Sequence, residues 1–187
     1  MSDTSARTCS CSRRALSCAP AVLLAALLTS SFLFAGIPPA LRNSVAELGR
    51  SEVQMWKLVN HDRTAQSSLD ETGGLARPLV WDDRLAAVAR QHSEEMALHN
   101  FFGHQGIDGS MPHIRVSRAG IQWTSVGENI AKFPDISEAE AGFMDEPKFQ
   151  QNHRGNILNP TFTHVGIGIA RGPDGMLYIT QEFATLR

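Results

Sequence analysis

Everything after Ala19 in this chain lacks cysteine, since Cys9, Cys11 and Cys18 are the only three. No disulfide can therefore brace a folded domain here, and no thiol can act there as nucleophile or soft metal ligand. Basic blocks are also missing. The net charge is −2, and setting aside residues 1–38 removes Arg7, Arg13 and Arg14 against one acid, Asp3, leaving a more acidic remainder. That balance excludes nucleic acid as a partner. No Gly-x-Ser-x-Gly elbow surrounds Ser110, Ser117 or Ser125, and phosphate-loop, dinucleotide and His-Glu-x-x-His signatures are absent too. The spaced Gly103, Gly106 and Gly109 are loop punctuation. What is present is an ordinary globular balance, 42% hydrophobic and 19% charged over 187 residues. That suits one compact domain with a tail.

The single long apolar run stands at the amino terminus. Residues 15–35 carry no charge and follow Arg7, Arg13 and Arg14. The pattern predicts a signal peptide or N-terminal membrane anchor over residues 1–36, because the run approaches the roughly 20 residues that span a bilayer. Ser12-Arg13-Arg14-Ala15-Leu16 loosely resembles a twin-arginine export signal, with Leu16 where Phe is commoner and no Lys following. Phe32-Leu33-Phe34-Ala35-Gly36 is a poor small-x-small site, so cleavage and anchoring both stay open. Cys18 comes too early for a lipoprotein site. A linker over residues 37–46 and a domain over 47–187 complete the division. The expected location is outside the cytoplasm: extracellular, periplasmic, or anchored at the outer side of the cytoplasmic membrane through the first segment alone.

Within the domain, Leu48, Met55, Leu58 and Val59 predict a helix from about Ala46 to Ala65, and Gly73-Gly74 a reversal after it. Asp82 or Asp83 caps the strongest helix, running to His99, with Leu85, Val88, Ala89, His92 and Met96 on one face. His92 reads as a core histidine and His99 as a cation at a helix end. Shorter helices are expected over 112–119, closed by Gly120, and from the cap Ser137 to Asp145, stopped by Pro147. Alternation predicts strands over 123–131, 164–170 and 176–183, the last two joined by the turn Gly172-Pro173-Asp174-Gly175. Helices flanking a small, mostly antiparallel sheet make an α+β fold.

His104, Glu128, Glu146 and His153 sit beside short Gly/Asn phrases and are the candidate cleft residues. Imidazole and carboxylate together can hold a divalent metal or pass a proton. Their separations are too wide for one helix face, so only tertiary structure can gather them. The alternative for each is structural: mutual hydrogen bonds and capping around a rigid loop cluster. Asn129, Arg154 and Asn156 read as supports that tie loops to the sheet.

Leu58-Val59-Asn60, Arg63, Leu75, Leu79, Trp81-Asp82, Leu85, Ala89, His92 and Met96 resemble the opening half of the CAP superfamily, or SCP domain. Phe102-Gly103-His104, Gly127-Glu128-Asn129-Ile130, His153-Arg154-Gly155-Asn156-Ile157-Leu158 and Val165-Gly166-Ile167-Gly168 resemble its bacterial form. The resemblance spans residues 52–183. It implies an α-β-α sandwich and a cleft lined by His104, Glu128, Glu146 and His153. Phe143 stands where bacterial relatives usually have Trp, and no Ser-Pro-Gly precedes His153-Arg154, so Asp145 and Glu140 are substitutes for Glu146. The function implied is a binding module for a lipid, glycan or other envelope ligand. A zinc-dependent hydrolase, using Zn2+ or another divalent cation on the same four residues, and a purely structural interaction domain are the rivals.

Overall fold

The computed structural model describes residues 39–187, so the expected targeting segment and the start of the expected linker lie outside the described residues. Helix α1 spans Pro39–Thr64. It begins well before Ala46, so residues 39–46, expected as linker, are helical. No described helix is long and apolar enough to cross a membrane. A 3₁₀ turn, Gln66–Ser68, leads into the single turn α2, Leu69–Thr72, which Gly73 closes at φ 58°. That left-handed conformation costs a glycine nothing.

Strand β1 is only Val80–Trp81. Helix α3, Asp83–His99, follows, with the Asp82 side chain accepting from the backbone N–H groups of Arg84 and Leu85. The cap choice between Asp82 and Asp83 thus falls to Asp82. Helix α4 is Pro112–Arg118, and β2 runs Trp123–Phe133. Helix α5 is Ile136–Met144, and Asp135, not Ser137, caps it by accepting from Ser137 and Glu138 N–H. Helix α6 is His153–Leu158, capped by Asn152. Strands β3, His164–Arg171, and β4, Leu177–Leu186, complete the chain.

The sheet order is β1-β3-β4-β2, with β1 parallel to β3 and the other pairs antiparallel. Alternation along β3 sorts the two faces. Val165, Ile167 and Ile169 join Met55 and Val59 of α1, Phe143 of α5, Ile157 of α6 and Phe183 of β4 in the main core. Gly166 and Gly168 face the other way, where α3 lies so close that an added Cβ would stand 2.0 Å from the Ala86 and Arg90 nitrogens. On that side Leu85, Val88 and Val116 pack with Ala184, and Met96 with Tyr178. Three layers result: α3 and α4, the sheet, then α1 with α5 and α6. This is the expected α-β-α sandwich. β2 is an edge strand, and the cleft forms around it.

Candidate functional site

Alternation in β2 sends adjacent side chains to opposite faces of the sheet. Glu128 turns toward α3 and α4, and Asn129 toward α5 and α6. On the first side the His104 Nδ1 lies 2.7 Å from Glu128 Oε1, and Arg115 Nη2 of α4 donates to Glu128 Oε2 at 2.5 Å. Arg115 Nη1 also holds the His104 carbonyl at 2.9 Å. On the second side His153 Nδ1 lies 2.6 Å from Glu146 Oε1, while Glu146 Oε2 accepts from the His153 backbone N–H at 2.7 Å. Asn129 Nδ2 donates to the His153 carbonyl at 3.0 Å and to Gln181 Oε1 at 2.9 Å. Asn156 Nδ2 donates to the Glu128 carbonyl and to Asn129 Oδ1, so the two halves are linked across the strand edge. Arg154 pairs with Glu71 at 2.5 Å and donates to the Met144 carbonyl, which fixes the end of α5 against the start of α6.

Together His104, Glu128, Glu146 and His153 line one cleft of about 520 Å³, with Ser125, Gln150, Gln151, Asn152, Asn156 and Asn159 as further polar walls. The structure therefore brings all four candidates to one place and gives Asn129, Arg154 and Asn156 the tying contacts expected of them. Neither substitute for Glu146 belongs there. Asp145 is an exposed helix end, and Glu140 is buried between α5 and the sheet, where Gln181 donates to it at 2.8 Å, and neither lines the cleft. Glu146 stands just past α5 rather than on it. Phe143 underlies the second pair, its ring 4.8 Å from that of His153.

Both carboxylates are ionised. Burial pushes Glu128 up, but the hydrogen bond from His104 and the charge of Arg115 outweigh it and hold it below the usual range. Glu146 is likewise raised by burial and brought down further by the His153 ring and the backbone N–H groups of Arg154 and His153. An ionised carboxylate only accepts. Each facing Nδ1 therefore carries a proton, and Nε2 is the ring nitrogen left to meet a ligand. Among the described residues nothing bonds to either Nε2.

Two residues packed against Glu128 escaped the sequence reading. Arg115 is one. Glu182 of β4 is the other: it is the direct cross-strand partner of Glu128 and fully buried. Burial first, then the Glu128 charge beside it, raises Glu182 far above a normal carboxyl, so it stays protonated while Glu128 is charged. An acid within the otherwise buried run of β4 was the available signal.

The donor set fits a protein-ligated zinc poorly. Catalytic zinc uses three protein ligands. Here each carboxylate already has partners on both oxygens, and only two imidazole nitrogens are left over. Among the described residues no three His, Cys, Asp or Glu side chains gather to hold one ion.

The sequence pattern of the CAP group, the Cysteine-rich secretory protein family, matches residues 56–183. The chain belongs to that family. This CAP domain is 35% identical over 133 residues to the uncharacterized protein YkwD of Bacillus subtilis, covering 71% of this chain and 46% of that protein. It thus spans under half of that curated relative. Among solved structures it resembles an extracellular SCP-domain protein of Bacillus anthracis, at TM-score 0.63 and 26% identity, covering 79% of this chain and 44% of that one. An outer surface protein of Borrelia burgdorferi superposes at TM-score 0.62 with 14% identity, covering 74% of this chain and 94% of that one, which shows the shared fold. Despite the family name, the described residues of this member contain no cysteine.

Proposed function

We propose that this CAP domain is an exported binding module whose cleft takes a hydroxyl-rich ligand, a glycan of the cell envelope, on its two imidazole nitrogens. The observation that carries the reading is the pair of histidines whose Nδ1 atoms face carboxylates at 2.7 and 2.6 Å in one cleft. Such rings are fixed in orientation by their carboxylate partners, and two free ring nitrogens in one polar cleft select ligands that present hydroxyl groups. The cleft walls are mainly amide, hydroxyl and carboxylate groups, with Val126 and Phe162 as apolar exceptions. That lining favours a sugar over an acyl chain. Export is supported by the charged and apolar pattern of residues 1–36, and by the extracellular and outer-surface descriptions of the similar proteins.

Binding to soluble envelope polysaccharide fragments, measured by calorimetry, tests the reading. His104→Ala and His153→Ala should each weaken binding about tenfold, since each removes one bond to the ligand. Loss of the partly exposed His153 pair should leave the unfolding midpoint near wild type, whereas His104→Ala should lower it by taking a hydrogen bond from buried Glu128. Retention of full affinity in both variants would overturn it. Hydrolysis of the fragments that disappears on chelation would favour the metal-dependent rival instead.

A further inference from the structure

A second cavity, of about 290 Å³, lies on the α3 and α4 side of the sheet; it shares no lining residue with the cleft, and Arg115, which holds Glu128, stands between the two. His92, Glu95, Asp108, Ser110, Arg115 and Arg118 line it. His92 is fully buried, and its Nε2 lies 2.9 Å from the Gly103 carbonyl. A carbonyl only accepts, so Nε2 is the protonated nitrogen. Burial also lowers the imidazole's proton affinity, which keeps the ring neutral. Its Nδ1 is then a lone-pair acceptor with no hydrogen-bond partner. Glu95 Oε2, another acceptor, stands 3.5 Å from it.

The neighbouring oxygens deepen the need for a donor. The position a Cβ would occupy on Gly106 is 3.0 Å from Glu95 Oε2, 3.0 Å from Ser110 Oγ and 3.2 Å from Asp108 Oδ1. Asp108 is countered by Arg118. Among the described residues Glu95 meets the His92 ring and the Ile107 backbone N–H at 3.3 Å and has no Lys or Arg partner, its side chain partly open to the cavity and solvent. Opposite this acceptor cluster, the Arg115 side chain is nine-tenths buried, and its Nε–H has no acceptor although both Nη atoms are engaged. A buried donor and a buried acceptor without partners are each costly, which makes their occurrence in one cavity informative.

We infer that this cavity is a binding site for a small primary ammonium compound bearing an oxygen acceptor. The ammonium meets His92 Nδ1, Glu95 and Ser110, and the oxygen receives the Arg115 Nε–H. A single water or alcohol can satisfy the two orphan atoms but not the charge of Glu95. The same chemistry occurs in free amino alcohols and in ethanolamine lipid headgroups.

The test is titration of the purified full-length protein at neutral pH, followed by NMR of the histidine rings, with ethanolamine, ethylamine and ethylene glycol. Ethanolamine should shift the His92 signals saturably, ethylamine should bind about tenfold more weakly for want of one bond, and ethylene glycol should not saturate. Glu95→Gln keeps an acceptor for Ile107 N–H but removes the charge, and should weaken ethanolamine at least tenfold. Ser110→Ala should weaken it less. Equal effects of all three compounds, or an unchanged affinity in Glu95→Gln with native circular dichroism, would overturn the assignment in favour of bound water. Vesicles with ethanolamine headgroups, run beside choline-headgroup vesicles, separate the sources. Glu95-dependent capture on the first alone assigns the lipid, and free binding without capture assigns the soluble amine. Since His104 and His153 play no part here, failure of this test leaves the cleft reading untouched.

Discussion

Glu140 of α5 sits 3% exposed against the sheet, with Gln181 donating to one oxygen and no hydrogen-bond partner for the other. Burial is the main reason its pKa is raised to about 8; the hydrogen bond from Gln181 opposes this, and the nearby Asp62 carboxyl adds to it. The unfolded value is about 4.3. Between those two values the native state holds more protons than the unfolded chain, so this group's contribution to stability is complete below the unfolded value and is lost as pH rises toward 8. Glu128 and Glu146 act with the opposite sign, because their lowered values make stability fall as pH drops. Glu140→Gln isolates the first effect. Thermal unfolding at pH 5 should show little difference from wild type, and at pH 8 the variant should be more stable. A constant offset across that range would sink the account. At this scale the sequence was legible where a polar residue stood in a glycine-rich phrase, as with His104 and Glu128. It was silent on Arg115, Glu182 and Gln181, because their roles come from cross-strand register and helix placement rather than from neighbours in the chain.

At the scale of elements, periodicity located α1, α3 and the three long strands because each buries one face, and cap, glycine and proline signals marked α4 and α5. The short helices α2, in a stretch that reads as a polar loop, and α6 carry no such pattern. The ends were harder. Ser137 and Asp135 are both good capping residues, and only the observed bonds to Asp135 distinguish them. β1 leaves no trace in the pattern because two residues carry no period; what defines it is pairing with β3, through Val80 N–H to the Thr163 carbonyl and Asp82 N–H to the Val165 carbonyl. The alternation Val165-Gly166-Ile167-Gly168 marks a strand without giving its reason. The glycines are there because α3 lies directly on them, with the Leu85 and Ala89 backbone atoms inside the reach of any Cβ. Gly168→Ala forces α3 off the sheet against backbone atoms that cannot yield. It should destabilise by about 3 kcal/mol or more, beyond ordinary overpacking. Denaturant unfolding checks this, with Gly175→Ala as a contrast: no atom lies within 4 Å of its Cβ position, and only its φ of 82° is strained.

Across the described residues, arginines bind segments distant in sequence, in a stretch that has no cysteine to form a disulfide. Arg90 meets Glu52 at 2.7 Å, joining α3 to α1, and Arg154 meets Glu71, joining α6 to α2. Arg63 does the most. It is 1% exposed, yet its guanidinium donates to the carbonyls of Arg77, Ile157, Asn159 and Phe162, so α1 fixes both the turn before β1 and the stretch from α6 to β3. Burial lowers its pKa to about 10, which still leaves it charged at neutral pH. The second half of the cleft depends on this contact, since His153 begins the helix whose end Arg63 grips. Arg63→Met keeps much of the volume and leaves four carbonyls without their donor. The expected loss is about 2–3 kcal/mol, because buried acceptors left without a donor cost about 1–3 kcal/mol each while removal of the buried charge offsets part of that. Hydrogen exchange should quicken first over residues 153–163, and ligand binding should weaken along with stability. That joint loss distinguishes Arg63→Met from His153→Ala, where binding alone falls. An unchanged unfolding midpoint would mean that the sheet and the two apolar layers hold the cleft in place without the arginine.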